Sequence, residues 1–500
     1  MQLDRRQFIK TGLSSLAYFT TASTVPLWIA KSAQAVSNAL VEDRILVVYQ
    51  MAGGNDGLNT VIPYTDPKYV DSGPNALRPN LHIISGLGGT ELGDGLNAFH
   101  PKLIRLKNWY SGGRVAVVQN VGYPNPSLSH FTGTDLWELG ISPGSNLNPS
   151  AGWAARFYDN MCNGAPPSEF NPLEMMAAGM NLLPLTLAGS PNFLPPAVGD
   201  FDSYNIDVPT TPAGYGDHIR NYINTLNNLN VPVNSTLDFV QRASNIAQVS
   251  VDDMQIAALT PTLNPYPNSS NQLGPGLDMV SRIIRTESPV FKTKIFYVTQ
   301  GGYDTHANQS NGVDPINGGM HPQLLDEADQ CLDAFLQDMA DSGNLDRVMV
   351  LSFSEFGRRP QENGSNGTDH GTANCLFALG GGVNGGVFGG QPDLAPLTGG
   401  NQGGNLQHAV DFRSVFSVVL RDWFDVDPEL IFGVDFTNPA FGIQDGMGEL
   451  TFVNATAGTP LPAASNSGLI AGAALTGLAG AAAIRYLNSD EAPEEQNDAE

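Results

Sequence analysis

Six short apolar runs, at residues 45–51, 115–121, 183–187, 295–299, 348–353 and 376–379, recur along the chain with glycine, proline and asparagine at their ends. Each is short for a helix and too continuous for a strand with one wet face, so they read as buried strands of a parallel sheet. Helical patterns lie between several of them. Residues 101–110 carry Leu103, Leu106 and Trp109 at helical spacing, and residues 321–339 carry Leu324, Leu325, Leu332, Phe335 and Leu336. This alternation predicts an α/β fold with a mostly parallel central sheet and helices on both faces.

Two stretches depart from that rhythm. Residues 190–280 are rich in Pro, Asn and Thr, with helical patterns near 218–229 and 235–257, and are expected to form an inserted cap or lid. Residues 380–404 are dense in glycine and read as loop or irregular hairpin. A helical pattern returns at 411–424, with Val415, Val418, Val419 and Trp423 on one face. The α/β domain is therefore expected to span about 40–445.

Both ends of the chain carry separate signals. Asp4-Arg5-Arg6-Gln7-Phe8-Ile9-Lys10 has the form of a twin-arginine export signal. A weakly apolar stretch, Lys31 and the small-residue site Ala33-Gln34-Ala35 complete a cleavable leader over 1–35. The expectation is a protein that folds first, engages the twin-arginine translocase, and works in the periplasm or outside the cell. Residues 446–500 read as linker, weakly apolar helix and acidic tail. Within them 468–484 lack charge, and Gly468, Gly472, Thr476 and Gly480 fall four apart. Weak membrane association through 468–484 and a flexible, surface-lying helix are both open there.

The net charge of −25 becomes more negative, near −28, once the leader's four cations and Asp4 are removed. Such a surface repels nucleic acid, which excludes that class of partner, and favours small or weakly charged substrates over polyanions. The three cysteines, Cys162, Cys331 and Cys375, form no Cys-x-x-Cys pair. At most one disulfide can form among them, and a buried structural role is expected for all three.

Polar clusters follow the predicted strands, where open α/β sheets build their sites. The first strand runs into Gly53-Gly54-Asn55-Asp56-Gly57, leaving Asp56 at its carboxyl end. The second runs into Tyr123-Pro124-Asn125-Pro126-Ser127-Leu128-Ser129-His130-Phe131, and Ser129 sits at a helix start, as a cap or as a nucleophile. Ser127 competes with it. Gly301-Gly302-Tyr303-Asp304-Thr305-His306 delivers Asp304 and His306, a carboxylate and imidazole pair that suits zinc, with manganese or iron as alternatives, better than calcium. Ser354-Glu355-Phe356-Gly357-Arg358 offers Glu355 as a further ligand and Arg358 as a fork for a tetrahedral oxyanion. His370, in Thr368-Asp369-His370-Gly371, is a third ligand candidate at a strand's entrance.

In this order the motifs Gly53-Gly54-Asn55-Asp56-Gly57, Ser129-His130-Phe131, Gly301 to His306, Ser354 to Arg358 and Asp369-His370-Gly371 resemble the bacterial domain-of-unknown-function family 1501. That family is a twin-arginine-exported branch of the alkaline phosphatase and sulfatase superfamily, and the resemblance covers about residues 40–445. It implies that Ser129, beside His130, attacks phosphorus or sulfur. It also implies that Asp304, His306 and His370 hold one divalent metal, and that Glu355 with Asp56 holds a second. Two such ions about 4 Å apart would stabilise the entering and leaving oxygens of an in-line displacement.

The function expected is thus an exported hydrolase of small phosphate or sulfate esters with one or two divalent ions. The alternative is a non-catalytic secreted or membrane-tethered protein that keeps the fold with a degenerate metal site. Glu355-Phe356, standing where superfamily phosphatases carry an Asp-His pair, supports that second class.

Overall fold

The computed structural model describes residues 44–454, apart from 74, 146, 148, 162–171, 191–194, 206–211, 233–234, 268–271, 287–292, 395–403, 439–440 and 442–448. The chain divides into two compact units, Met1–Gly458 and Thr459–Glu500, and every described residue belongs to the first. The expected leader at 1–35 and the tail segment 468–484 lie outside the described residues. Among the described residues no helix is long and apolar enough to cross a membrane.

Eleven strands carry the argument: β1 (Ile45–Ala52), β2 (Val115–Gly122), β3 (Met175–Ala178), β4 (Ala197–Val198), β5 (Ile295–Gly301), β6 (Val348–Phe353), β7 (Arg358–Glu362), β8 (Thr368–His370), β9 (Asn374–Gly380), β10 (Gly386–Phe388) and β11 (Val410–Asp411). Nine form one sheet in the order β10-β2-β9-β6-β1-β5-β3-β4, with β11 beside β2, while β7 and β8 pair separately. Every strand of the large sheet runs parallel to its neighbours except β9, which is antiparallel to β2 and β6. The expected fold class, a mostly parallel α/β sheet, is what the chain forms.

Alternation along the central strands divides the core. Val47, Tyr49 and Met51 of β1 face one buried cluster, with helices α1 (Ile104–Ser111), α6 (Leu273–Arg285) and α7 (Met320–Asp341). Leu46 and Val48 face the other, with α2 (His130–Leu139), α3 (Trp153–Met161) and α8 (Phe412–Val418). Both faces of the sheet are covered, which is why β2 and β6 are buried at every position. The 411–424 helix is continued by a π turn over Val419–Trp423.

Within the segment expected to be an insert lie α4 (Tyr215–Asn227) and α5 (Thr236–Ala258). No residue of α4 is buried, whereas Met254 and Ala257 near the end of α5 join the core. One predicted strand needs correction. Residues 183–187 are not a ladder strand: Pro184 caps the short 3₁₀ turn Leu185–Leu187, and proline has no N–H to give a sheet. The strand in this region is β3, eight residues earlier in the chain. Cys331 and Cys375 are free, buried thiols, and burial raises both to a pKa of about 12; Cys162 lies outside the described residues.

Candidate metal centre

The topology brings the polar loops to one edge. β1, β2, β5 and β6 are mutually aligned, so their carboxyl ends open on the same side. Because β9 alone is reversed, its amino end lies at that edge too, with Asn374 opposite Val121 of β2. His370, just before β9, therefore arrives beside loops that follow the other strands. Gly53 permits the closest approach: a Cβ there would sit 2.3 Å from the amide nitrogen of Asp304, and its φ of +125° suits glycine alone.

His130, Asp304 and His370 converge, with one ligand atom from each lying within 4.8 Å of the others. Hydrogen bonding fixes both rings. His130 Nδ1 donates to Glu355 Oε1 at 2.7 Å, and His370 Nδ1 donates to the carbonyl of Leu128 at 2.8 Å. Each imidazole thus spends its N–H away from the centre and turns Nε2 toward one carboxylate. His130 Nε2 lies 3.4 Å from Asp304 Oδ2, and His370 Nε2 lies 3.2 Å from Oδ1. His130 Nε2 is a buried atom without a hydrogen-bond partner. Two imidazole lone pairs facing one carboxylate call for a positive charge between them, and a divalent cation supplies it. The donor set of two imidazoles and one carboxylate fits such an ion.

Electrostatics agree with that arrangement. The hydrogen bond to Glu355 raises the pKa of His130 and makes its ring a stronger donor. Burial lowers that of His370 and favours its neutral form. For Asp304, burial works upward, but the Arg358 guanidinium more than offsets it and holds the carboxyl at about 2. Phe356 packs against both rings, 5.0 Å from His130 and 4.5 Å from His370 between centroids.

The other expected site residues lie outside the triad, some of them against it. His306 stands at the rim, outside the triad, with Nε2 3.4 Å from Asp304 Oδ1 and Nδ1 3.5 Å from Asp369 Oδ1. Glu355 lies behind His130, 2% exposed, and also accepts from the Gly53 amide at 2.9 Å. Arg358 is no free oxyanion fork. It is 1% exposed, and its guanidinium is consumed by carbonyls of Gly53, Gly54, Tyr303 and Thr368 and by Asp304 Oδ1. A guanidinium sealed this way positions Asp304 and cannot meet a substrate. Asp56 caps the turn Gly57–Thr60 and pairs with Arg78 at 2.9 Å, fully buried and apart from the triad.

Ser129 is the exposed N-cap of α2 and makes no side-chain capping bond. Ser127 Oγ accepts the N–H of Ser129 at 3.3 Å. Sequence reading missed Arg78 and Gln309, which secure Asp56, and it did not place His130 among the ligands. The ordered pair Ser129-His130 was the one signal available, since a side chain following a helix cap turns back toward the same loop.

The sequence profile described as "Protein of unknown function (DUF1501)" matches residues 290–405, which hold Asp304, His306, Glu355, Arg358 and His370. No curated protein matches the chain. Among solved structures, the lipoteichoic acid synthase LtaP from Listeria monocytogenes is similar at 10% identity, with 70% of this chain and 69% of that one covered and a TM-score of 0.31. The alkaline phosphatase of the Antarctic bacterium TAB5 is similar at 12% identity, covering 68% and 92%, with a TM-score of 0.27. The PsFucS1 sulfatase from Pseudoalteromonas sp. is similar at 12% identity, covering 82% and 74%, with a TM-score of 0.30. Likenesses this remote leave the reading of the site to its own residues.

Proposed function

We propose that this protein is an exported, metal-dependent hydrolase of small phosphate or sulfate esters that uses Ser129 as its nucleophile. The observation that carries the metal is the pair of Nε2 atoms, on His130 and His370, facing the single carboxylate of Asp304. The ester class is supported by the ordered motifs from Gly53 to Gly371.

A divalent ion held by His130, Asp304 and His370 would supply Lewis-acid polarisation of an ester oxygen. The chain's own groups do the rest. Ser129 sits exposed at the start of the ten-residue helix α2, next to the ligand His130, where unpaired amides favour a tetrahedral anion. Its hydroxyl loses its proton as Oγ bonds to phosphorus or sulfur, the bond to the leaving oxygen breaks, and that oxygen takes up the proton released, leaving as the alcohol. Water then cleaves the seryl ester and returns the hydroxyl. Ser127, whose oxygen already receives the Ser129 amide, supports the loop. The leader with Arg5 and Arg6 supports export to the periplasm or beyond, and zinc, manganese or iron suits the donor set.

Chromogenic phosphate and sulfate esters, offered to the metal-loaded protein and quenched with acid, test the reading. The expected result is turnover and a mass increment on the peptide containing Ser129, both absent in Ser129→Ala. Bound metal with no turnover on any ester would favour the degenerate, non-catalytic alternative, for which the sealed Arg358 speaks.

A further inference from the structure

We infer that the centre is built for one cation: Arg78 and His130 have taken up Asp56 and Glu355, the groups from which a second site would have to be made. This rests on reading His130, Asp304 and His370 as a metal centre. Asp56 is 1% exposed, and both its oxygens are occupied. Oδ1 accepts from the Leu58 amide at 3.2 Å and from Arg78 Nη1 at 3.2 Å; Oδ2 accepts from Arg78 Nη1 at 2.9 Å and Gln309 Nε2 at 2.6 Å. Arg78 cannot swing aside. Its Nε donates to the Pro360 carbonyl at 2.8 Å, its Nη2 to the Arg359 carbonyl at 3.0 Å, and its Nη1 also to Asn59 Oδ1 at 2.8 Å. A cation at Asp56 would strand this buried guanidinium beside a second positive charge.

Glu355 is committed in the same manner. Oε1 accepts from His130 Nδ1 at 2.7 Å and from the Gly53 amide at 2.9 Å, and the same amide reaches Oε2 at 3.2 Å. It acts on the metal through His130, holding the tautomer and the ring direction, and is a positioning residue. Phe356 fills the space against both imidazoles with a side chain that ligates nothing. His306 and Asp369 do not complete a second group: among the described residues only His130, Asp304 and His370 bring three ligand atoms together.

The test is a metal count on the full chain, loaded with Zn²⁺ or Mn²⁺ and measured by elemental analysis, with electron paramagnetic resonance of the Mn²⁺ form. One ion per chain with an uncoupled manganese spectrum is expected. Two ions, or a spectrum showing exchange between two manganese ions, would overturn the inference and leave the hydrolase reading intact. No bound ion would overturn both. Variants separate the roles. Glu355→Ala is expected to weaken Zn²⁺ binding by about 10- to 100-fold without a matching fall in thermal stability, and Glu355→Gln, which keeps an acceptor for Nδ1, to recover most of it. Asp56→Asn is expected to hold Zn²⁺ within about threefold of the parent, since it ligates nothing. A loss of tenfold or more there would make Asp56 a ligand.

Discussion

Arg358 donates from Nη2 to Oδ1 of Asp304 at 2.7 Å while its own side chain is closed off from solvent. The guanidinium thus occupies one oxygen of the carboxylate and leaves Oδ2 facing His130. An always-charged group beside the carboxylate keeps it ionised while half of the Asp304 side chain stays open to solvent.

Replacing Arg358 by lysine should therefore unfasten the centre. An ammonium has three donors and no fork, so buried carbonyls of the Gly53, Tyr303 and Thr368 loops would go unpaired. Arg358→Lys is expected to cost about 3–5 kcal/mol in urea unfolding and to let the Asp304 carboxyl, now at about 2, climb toward the ordinary range. Carboxyl titration by NMR reads the second effect. An unchanged unfolding curve would return Arg358 to the substrate side.

Gly53 offers a cleaner backbone test. Its φ is +125°, and a Cβ would meet the Asp304 amide at 2.3 Å. Gly53→Ala should lose about 1–3 kcal/mol from backbone strain and more from the clash, and should weaken Zn²⁺ binding because the Asp304 loop must retreat. Gly364, with nothing within 4 Å of its Cβ position, provides the control. Gly364→Ala should stay within about 0.5 kcal/mol in the same assay.

Acid should weaken the fold through two buried histidines outside the centre. Burial lowers His321 to about 4 and His100 to about 3, from ordinary values near 6.5. Between those limits the unfolded chain binds the protons that the native chain refuses, so stability rises with pH across the window. The contribution is complete above about pH 6.5 and falls away below it, with His321 alone worth roughly 3 kcal/mol by pH 4. Asp329, raised by burial to about 6, works with the opposite sign, so comparison with a variant gives the clearest reading. The loss of urea stability from pH 7.5 to 5 should be smaller in His321→Asn than in the parent. Equal losses would mean that His321 is protonated in the fold.

The strands, the long helix α7 and the loops that carry the chemistry were visible as patterns because each is a local property: apolar runs, helical spacing, glycine beside acid. Pairings were not. Glu355 and His130 are 225 positions apart, and no local feature says that the acid will spend itself on that imidazole. Arg78 lies in a stretch of turns and prolines without periodicity, and its claim on Asp56 depends on how β7 passes overhead through the carbonyls of Arg359 and Pro360. Arg358 and Arg359 look alike in sequence, yet Arg358 alone is drawn inward, to the carbonyls of Gly53 and Gly54. The misplaced strand at 183–187 had the right composition but carried a proline at the position that decided its shape.

The register between β9 and β2 breaks between Asn374 and Leu376, where two steps along β9 oppose three along β2, from Val121 to Val118. The extra residue is on β2, where Asn120 has a φ of 56°, and it acts as a shim between the end of β2, which leads to His130, and the start of β9, which follows His370. Ligand reach is thereby uncoupled from the packing beneath, so the core can drift through hydrophobic exchange while the aperture above keeps its dimensions.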